Sequence, residues 1–244
     1  MVRSRRRARR KVAGDPRTQS CVRRRRRSLR IGLTGGLAAG KSTVAALLRA
    51  DGYAVFDADA ASRASLSPLG DATAALLARR PELANTNGAV DRARLRRWAA
   101  DDPKNLRLLE DLIHPIVRRA MLRFLDRTVV CAAFGRVCDV PLLYETDAAS
   151  LFDVVVVVDA AAPIRRQRAL ARPGVDAPTL AHLEAAQTPP PLKRRMAAIV
   201  IRSGLGRRDL RRQLRAKLRA PRSKPMMPMR YRRALGDYMI RSNP

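Results

Sequence analysis

The octapeptide Gly35-Gly36-Leu37-Ala38-Ala39-Gly40-Lys41-Ser42 matches G-x-x-x-x-G-K-[ST] and constrains the fold of this chain more than any other feature. The spacing serves one chemistry. Glycines let the backbone wrap so that successive N–H groups face inward toward phosphate oxygens with no Cβ in the way. A helix beginning at the lysine aims its positive end at the same point. Lys41 supplies a point charge for the β- and γ-phosphates, and the Ser42 hydroxyl is a Mg²⁺ ligand. Such a loop requires a strand before it and a helix after it. Residues 29–34 form a short run that is apolar apart from Arg30 and Thr34. Val44, Leu47 and Leu48 recur at helical spacing over 41–49.

The rest of the chain repeats the alternation. Strands are predicted at 54–56, 129–133, 137–142, 154–158 and 198–201. The run 154–158 is all valine, the pattern of a central parallel strand buried on both faces. Helical patterning fills 60–126, with breaks at 68–70, 81, 85–88 and 103, and returns at 164–172 and 180–187. Strands separated by helices predict an α/β fold built on a doubly wound parallel sheet, with 60–126 as a helical subdomain.

The net charge of +30 is unevenly placed. Residues 1–30 hold fourteen Lys/Arg against Asp15, and 206–244 hold thirteen against Asp209 and Asp237, which leaves +6 for 31–205. Basic tails of this kind self-repel and do not fold alone. They are expected to be solvated extensions at 1–29 and 207–244, the second with helical patterning to 218, or electrostatic contacts for nucleic acid or an anionic surface. Residues 1–30 contain no aromatic side chain to stack on bases. No run of about 18 apolar residues exists to span a membrane, and no apolar segment follows the N-terminal arginines as a signal peptide requires. Cys21, Cys131 and Cys138 are odd in number and form no C-x-x-C pair, which fits free thiols in the reducing cytoplasm. The Arg-rich, acid-poor N-terminus keeps a mitochondrial address as the alternative.

A phosphate loop specifies a nucleoside triphosphate, not its acceptor. No Asn/Thr-Lys-x-Asp element for guanine is present, which argues against a GTPase. Asp57-Ala58-Asp59 follows the second strand. Carboxyl ends of strands form the ligand crevice of an α/β sheet, so these acids are expected to face the loop. There one carboxylate is placed to take a hydroxyl proton and the other to hold Mg²⁺ through water. An acidic N-cap for the next helix is the other reading.

With these elements in order, the sequence resembles the dephospho-coenzyme A kinase family of P-loop kinases. The resemblance rests on residues 32–43, on Asp57-Ala58-Asp59 with Ser62-Arg63, and on Leu112-Ile113-His114-Pro115. It continues through Asp139-Val140-Pro141-Leu142-Leu143-Tyr144-Glu145, Phe152-Asp153, the pair Arg168 and Arg172, and Gln187 with Lys193, spanning about 175 residues. It implies phosphorylation of the ribose 3′-hydroxyl of dephospho-coenzyme A with ATP as co-substrate and Mg²⁺ as cofactor. It also implies a domain over 30–206 with a substrate subdomain near 60–126 and a lid near 164–190. Asp59 matches the catalytic carboxylate, Lys41 and Arg168 match the residues facing the triphosphate, and Arg172 supports Arg168. Gly35 to Thr43 would hold the nucleotide, Ser42 the metal, and Asp57, Arg63 and His114 the acceptor. His114 before Pro115 has a second reading, as the end of its helix. Asp139 and Glu145 are each either a second acid on the Mg²⁺ side or part of a charged loop.

The sequence also departs from the family pattern. Ala197-Ala198 stands where Ala-Asp is usual, Arg202-Ser203 where Asp-Asn is expected, and Arg165 where Gln is frequent. Pro189-Pro190-Pro191 falls where a helix is expected and is predicted to interrupt it. Two other functions stay open at this level: a P-loop kinase for another small metabolite or a nucleoside, and a nucleic-acid-binding protein with a secondary ATP site.

Overall fold

The computed structural model of the protein describes residues 28–127 and 134–219. The strand expected at 129–133 lies outside these residues, as do almost all of the N-terminal extension and the C-terminal stretch 220–244. Among the described residues, five parallel strands form a sheet: β1 (Arg30–Gly35), β2 (Ala54–Asp57), β3 (Arg136–Asp139), β4 (Val154–Asp159) and β5 (Ile199–Arg202). Their order is β2-β3-β1-β4-β5, with the phosphate-loop strand at the centre.

Period-two alternation explains why both faces of β4 are valine. Val154, Val156 and Val158 point to one side, where Ile31, Leu33 and Val137 meet Val44, Leu47 and Leu48 of α1 (Lys41–Ala50). Val155 and Val157 point to the other side, against Cys138, Phe152 and Met196 and against Met121 and Leu125 of α5 (Pro103–Asp126). Helices on both faces make the sheet doubly wound, as the alternation of patterns predicts.

The stretch after β2 is helical. Here α2 (Ala58–Ser65), α3 (Thr73–Arg79) and α4 (Arg92–Asp101) precede α5, and Leu76, Leu83, Val90 and Leu95 form a separate small core. Asp91 and Asp102 cap α4 and α5 by accepting backbone N–H bonds from Ala93, Arg94 and Lys104. Pro115 lies inside α5, which continues to Asp126, so His114 does not end its helix.

Past β4 come α6 (Ala162–Leu170), α7 (Ala177–Ala185) and α8 (Pro190–Met196). The prolines at 189–191 do not interrupt a helix. Pro189 is the N-cap of α8 and proline fills its first turn, where a missing N–H costs no hydrogen bond.

The domain boundary expected at 206 falls short. α9 (Arg207–Arg219) is amphipathic and packs Leu210 and Leu214 into the core beside α1. Burying those two side chains contributes roughly 1.5–3 kcal/mol each. Arg211 and Arg215 both bond the Asp51 carboxylate, at 2.5 Å and 2.9 Å. The Gln213 amide exchanges two 3.1 Å hydrogen bonds with the Arg202 backbone, and Lys217 Nζ donates to the Val200 carbonyl at 2.7 Å. Together they cover the open edge of β5. A high arginine content masks the apolar stripe that makes 207–219 part of the folded unit.

Candidate active site

The sheet register builds the site. Asp57 at the end of β2 pairs with Asp139 at the end of β3, and Asp139 pairs with Leu33 of β1. β1 runs two residues further, to Gly35, where the loop begins. Acids and phosphate loop therefore share one edge of the sheet, its carboxyl end. A cleft of about 570 Å³ opens there.

The loop geometry answers to its residues. A Cβ on Gly35 would lie 2.3 Å from the Val158 carbonyl oxygen, so only glycine lets β1 leave the sheet beside β4. Ala38 is held at φ 55, and Gly40 is the N-cap of α1. The start of α1 thus presents unpaired backbone N–H groups toward the loop. Lys41 Nζ donates to the Gly35 carbonyl at 3.3 Å. Burial pushes the Lys41 ammonium below its ordinary pKa; Asp139 and Asp59 oppose that shift, while Lys193 and Arg172 add to it. Burial drives Asp139 the other way, raising its carboxyl to about 6 against the pull of Lys41, with Asp57 and Asp59 adding to the rise.

Lys41, Ser42, Thr43, Asp57, Asp59, Arg63, Arg168 and Arg172 all line this cleft, with Leu37 to Gly40 of the loop. Asp57 does double duty: it caps α2 by accepting the Ala60 N–H at 2.9 Å, while Asp59 lies in the first turn of that helix. The N-cap reading of the acidic pair therefore holds for Asp57, and both carboxylates line the cleft. His114 is exposed on α5 and is not among the residues that line the cleft. Glu145 is not there either; it pairs with buried Lys193 at 3.0 Å.

Several lining residues escaped the sequence reading. Ser203 stood out only as a departure, yet it is buried and its hydroxyl donates to the Ala39 carbonyl at 2.5 Å. Arg168 donates to the Ser203 hydroxyl and carbonyl at 3.3 and 3.4 Å, so this side chain joins the arginine to the phosphate loop. Gly206, at the expected boundary, and Arg207 and Leu210, beyond it, also line the cleft. No local pattern marks them, because the fold alone returns α9 to α1.

The donor set suits a hydrated Mg²⁺. The Oδ1 atom of Asp139 is buried with no hydrogen-bond partner, and the exposed Ser42 hydroxyl lines the same cleft. No cluster of three or more His, Cys, Asp or Glu side chains able to hold a metal occurs among the described residues. Mg²⁺ is commonly held by one or two carboxylates, water and substrate phosphates, and such a site needs no larger cluster.

Comparison with known proteins gives a consistent answer. The family model described as dephospho-CoA kinase matches residues 29–207. The dephospho-CoA kinase of Rhodospirillum rubrum is 43% identical over 197 residues, covering 79% of this chain and 92% of that protein. That of Geobacillus kaustophilus is 37% identical over 193 residues, covering 79% of this chain and 96% of that protein. A crystal structure of TT1252 from Thermus thermophilus superposes with a TM-score of 0.66 at 36% identity, covering 78% of this chain and 96% of that one. The dephospho-CoA kinase structure from Campylobacter jejuni, at 18% identity and a TM-score of 0.55 over 76% of this chain and 93% of that one, shares the fold.

Proposed function

The chain belongs to the dephospho-CoA kinase family, and from that premise we propose how its own residues carry out ATP-dependent phosphorylation of the ribose 3′-hydroxyl of dephospho-coenzyme A. The observation that carries the reading is the convergence of Lys41, Ser42, Asp59, Arg168 and Arg172 on one cleft at the carboxyl end of the sheet. The backbone N–H groups of the loop and the start of α1 bind the β- and γ-phosphates of ATP. Asp59 accepts the proton of the 3′-hydroxyl as that oxygen attacks the γ-phosphorus, and ADP leaves. Lys41 and Arg168 stabilise the charge spread over the equatorial oxygens, in a site where fixed donors need no reorganisation. Arg172 supports Arg168.

Ser42 and Asp139 would hold Mg²⁺, which when bound supplies charge neutralisation on the phosphates. Asp57 and Arg63 face the acceptor, and His114, outside the cleft lining, has no role assigned in it. The stretch 60–126 serves as the acceptor subdomain and 164–190 as the lid. The catalytic unit extends through α9. Cys138 is a buried free thiol whose pKa burial raises to about 12, and it fits a reducing, cytoplasmic setting. No helix among the described residues is long and apolar enough to cross a membrane.

A coupled ADP-release assay with dephospho-coenzyme A against a panel of nucleosides tests the proposal. Turnover dependent on dephospho-coenzyme A and exceeding that with any nucleoside is the expected result. Faster turnover of a nucleoside, or none with dephospho-coenzyme A, would overturn it.

A further inference from the structure

The departure at position 165 leads to a second anion-binding feature. Arg165 on α6 is nine-tenths buried, at 9% exposure. Its nearest acid is Glu184 on α7, at 4.0 Å and half exposed, and its Nε has no hydrogen-bond partner. A guanidinium removed from water needs a close counter-charge and filled donors. A 4.0 Å contact to a solvated carboxylate supplies neither in full. A chamber of about 300 Å³ lies beside Arg165, between the phosphate loop and the end of α7, with Gly36, Leu37, Glu184, Gln187 and Thr188 among its walls. Leu37 and Gln187 also line the main cleft, so the two spaces adjoin. A Cβ on Gly36 would come within 2.5 Å of an Arg165 terminal nitrogen, so the guanidinium rests directly on the bare backbone of the loop.

We propose that Arg165 is a phosphate-binding residue: its guanidinium takes a non-bridging oxygen of a substrate phosphate that reaches this chamber, and the ligand replaces Glu184 as counter-ion. The proposal rests on the kinase reading, under which both substrates carry phosphates. The γ-phosphate of ATP and the diphosphate of the acceptor present the same oxygen chemistry. Glu184 acts as a weak internal competitor that occupies the arginine until the anion arrives. Forked donors recognise such oxygens in two-point geometry, which a neutral amide lacks.

The test is calorimetric titration of wild type, Arg165→Gln and Glu184→Gln with a non-hydrolysable β,γ-imido analogue of ATP, with dephospho-coenzyme A, and with adenosine. Loss of a charge-assisted pair is expected to weaken one phosphate-bearing ligand by about tenfold or more. Adenosine binding should stay unchanged, and Glu184→Gln should tighten the same ligand that Arg165→Gln weakens. Weakening confined to the ATP analogue assigns the contact to the triphosphate; weakening confined to dephospho-coenzyme A assigns it to the diphosphate. If Arg165→Gln leaves both ligands within about twofold of wild type, or weakens adenosine equally, Arg165 only seals the lid and the proposal fails. If Arg165→Gln does not fold, Glu184→Gln decides alone, and no tightening of either ligand refutes it. A wild type that binds the ATP analogue but does not turn over dephospho-coenzyme A would count against the kinase reading instead, since the binding comparison survives.

Discussion

Lys193 Nζ and Glu145 Oε1 face each other at 3.0 Å, with the lysine wholly removed from solvent and the glutamate reaching the surface. The pair sits at a junction. Lys193 also donates to the Pro141 carbonyl at 3.3 Å, and Thr34 donates to that same carbonyl at 3.0 Å. Glu145 accepts the Thr188 backbone N–H at 2.6 Å. The segment between α7 and α8 is thereby joined to the ends of β1 and β3 beneath the cleft. Removing Glu145 strands the buried Lys193 charge, so Glu145→Gln is expected to cost about 3–5 kcal/mol in urea unfolding, and Lys193→Met less, because the glutamate it leaves keeps contact with solvent. The double variant Lys193→Met/Glu145→Leu should lose less than the sum of the single changes. Additive losses would show that the two charges do not depend on one another.

The α9 docking makes a second prediction. Side-chain hydrogen bonds from Arg215 and then Arg211 hold the Asp51 carboxyl at about 2, below its ordinary 3.8. The folded value is the lower one, so this contribution is fully present above pH 3.8 and is lost as pH falls toward about 2. Asp51→Asn should therefore be less stable than wild type at neutral pH, with the gap closing between pH 4 and 2. A chain spanning 29–219 should keep full activity. One ending at 206 should lose roughly 3–6 kcal/mol of stability, from the burial of Leu210 and Leu214 alone. Equal melting temperatures for the two lengths would contradict the packing argument.

Asp139 behaves in the opposite sense. Burial raises its carboxyl from 3.8 to about 6, so the ionised form strains the substrate-free fold above pH 6. Its stabilising, protonated form is complete below pH 3.8 and is lost as pH climbs through about 6. Asp139→Asn should accordingly melt higher than wild type at pH 8, with the difference vanishing near pH 4, while kcat falls. A melting temperature unchanged at pH 8 would refute the desolvation argument.

Lys41→Ala should leave the fold intact and nearly abolish turnover. Lys41 bonds only the loop carbonyl of Gly35 among the hydrogen bonds assigned to it, and its charge faces the cleft. Losing one such electrostatic donor is expected to cost on the order of 3–4 kcal/mol of transition-state stabilisation. Steady-state kinetics beside a melting curve check this, and a variant with more than about a tenth of wild-type kcat would contradict the assigned role.

How much of this was legible in the sequence depends on the range of the interaction. Local grammar carried the phosphate loop, the valine strand and the acid pair after β2, because glycine conformation and strand alternation act over a few residues. Resemblance, and no local pattern, pointed Arg168 and Arg172 to the cleft that they line. Long-range packing stayed hidden. Nothing near Glu145 in sequence announces Lys193 as its partner, and nothing near Ser203 announces the Ala39 carbonyl. The prolines at 189–191 misled because proline breaks a helix interior but suits a first turn, and only the structure sets which applies.

The central claim is that Asp59 takes the hydroxyl proton while Asp57, two residues earlier, holds the start of α2. Asparagine keeps the shape of both side chains and can still cap a helix, but it cannot accept that proton. The direct measurement is kcat for Asp59→Asn and Asp57→Asn with ATP and dephospho-coenzyme A, alongside ATP affinity. The account predicts a fall of about 10²–10⁴-fold for Asp59→Asn with ATP affinity unchanged, and a much smaller fall for Asp57→Asn. Wild-type kcat in Asp59→Asn would contradict it.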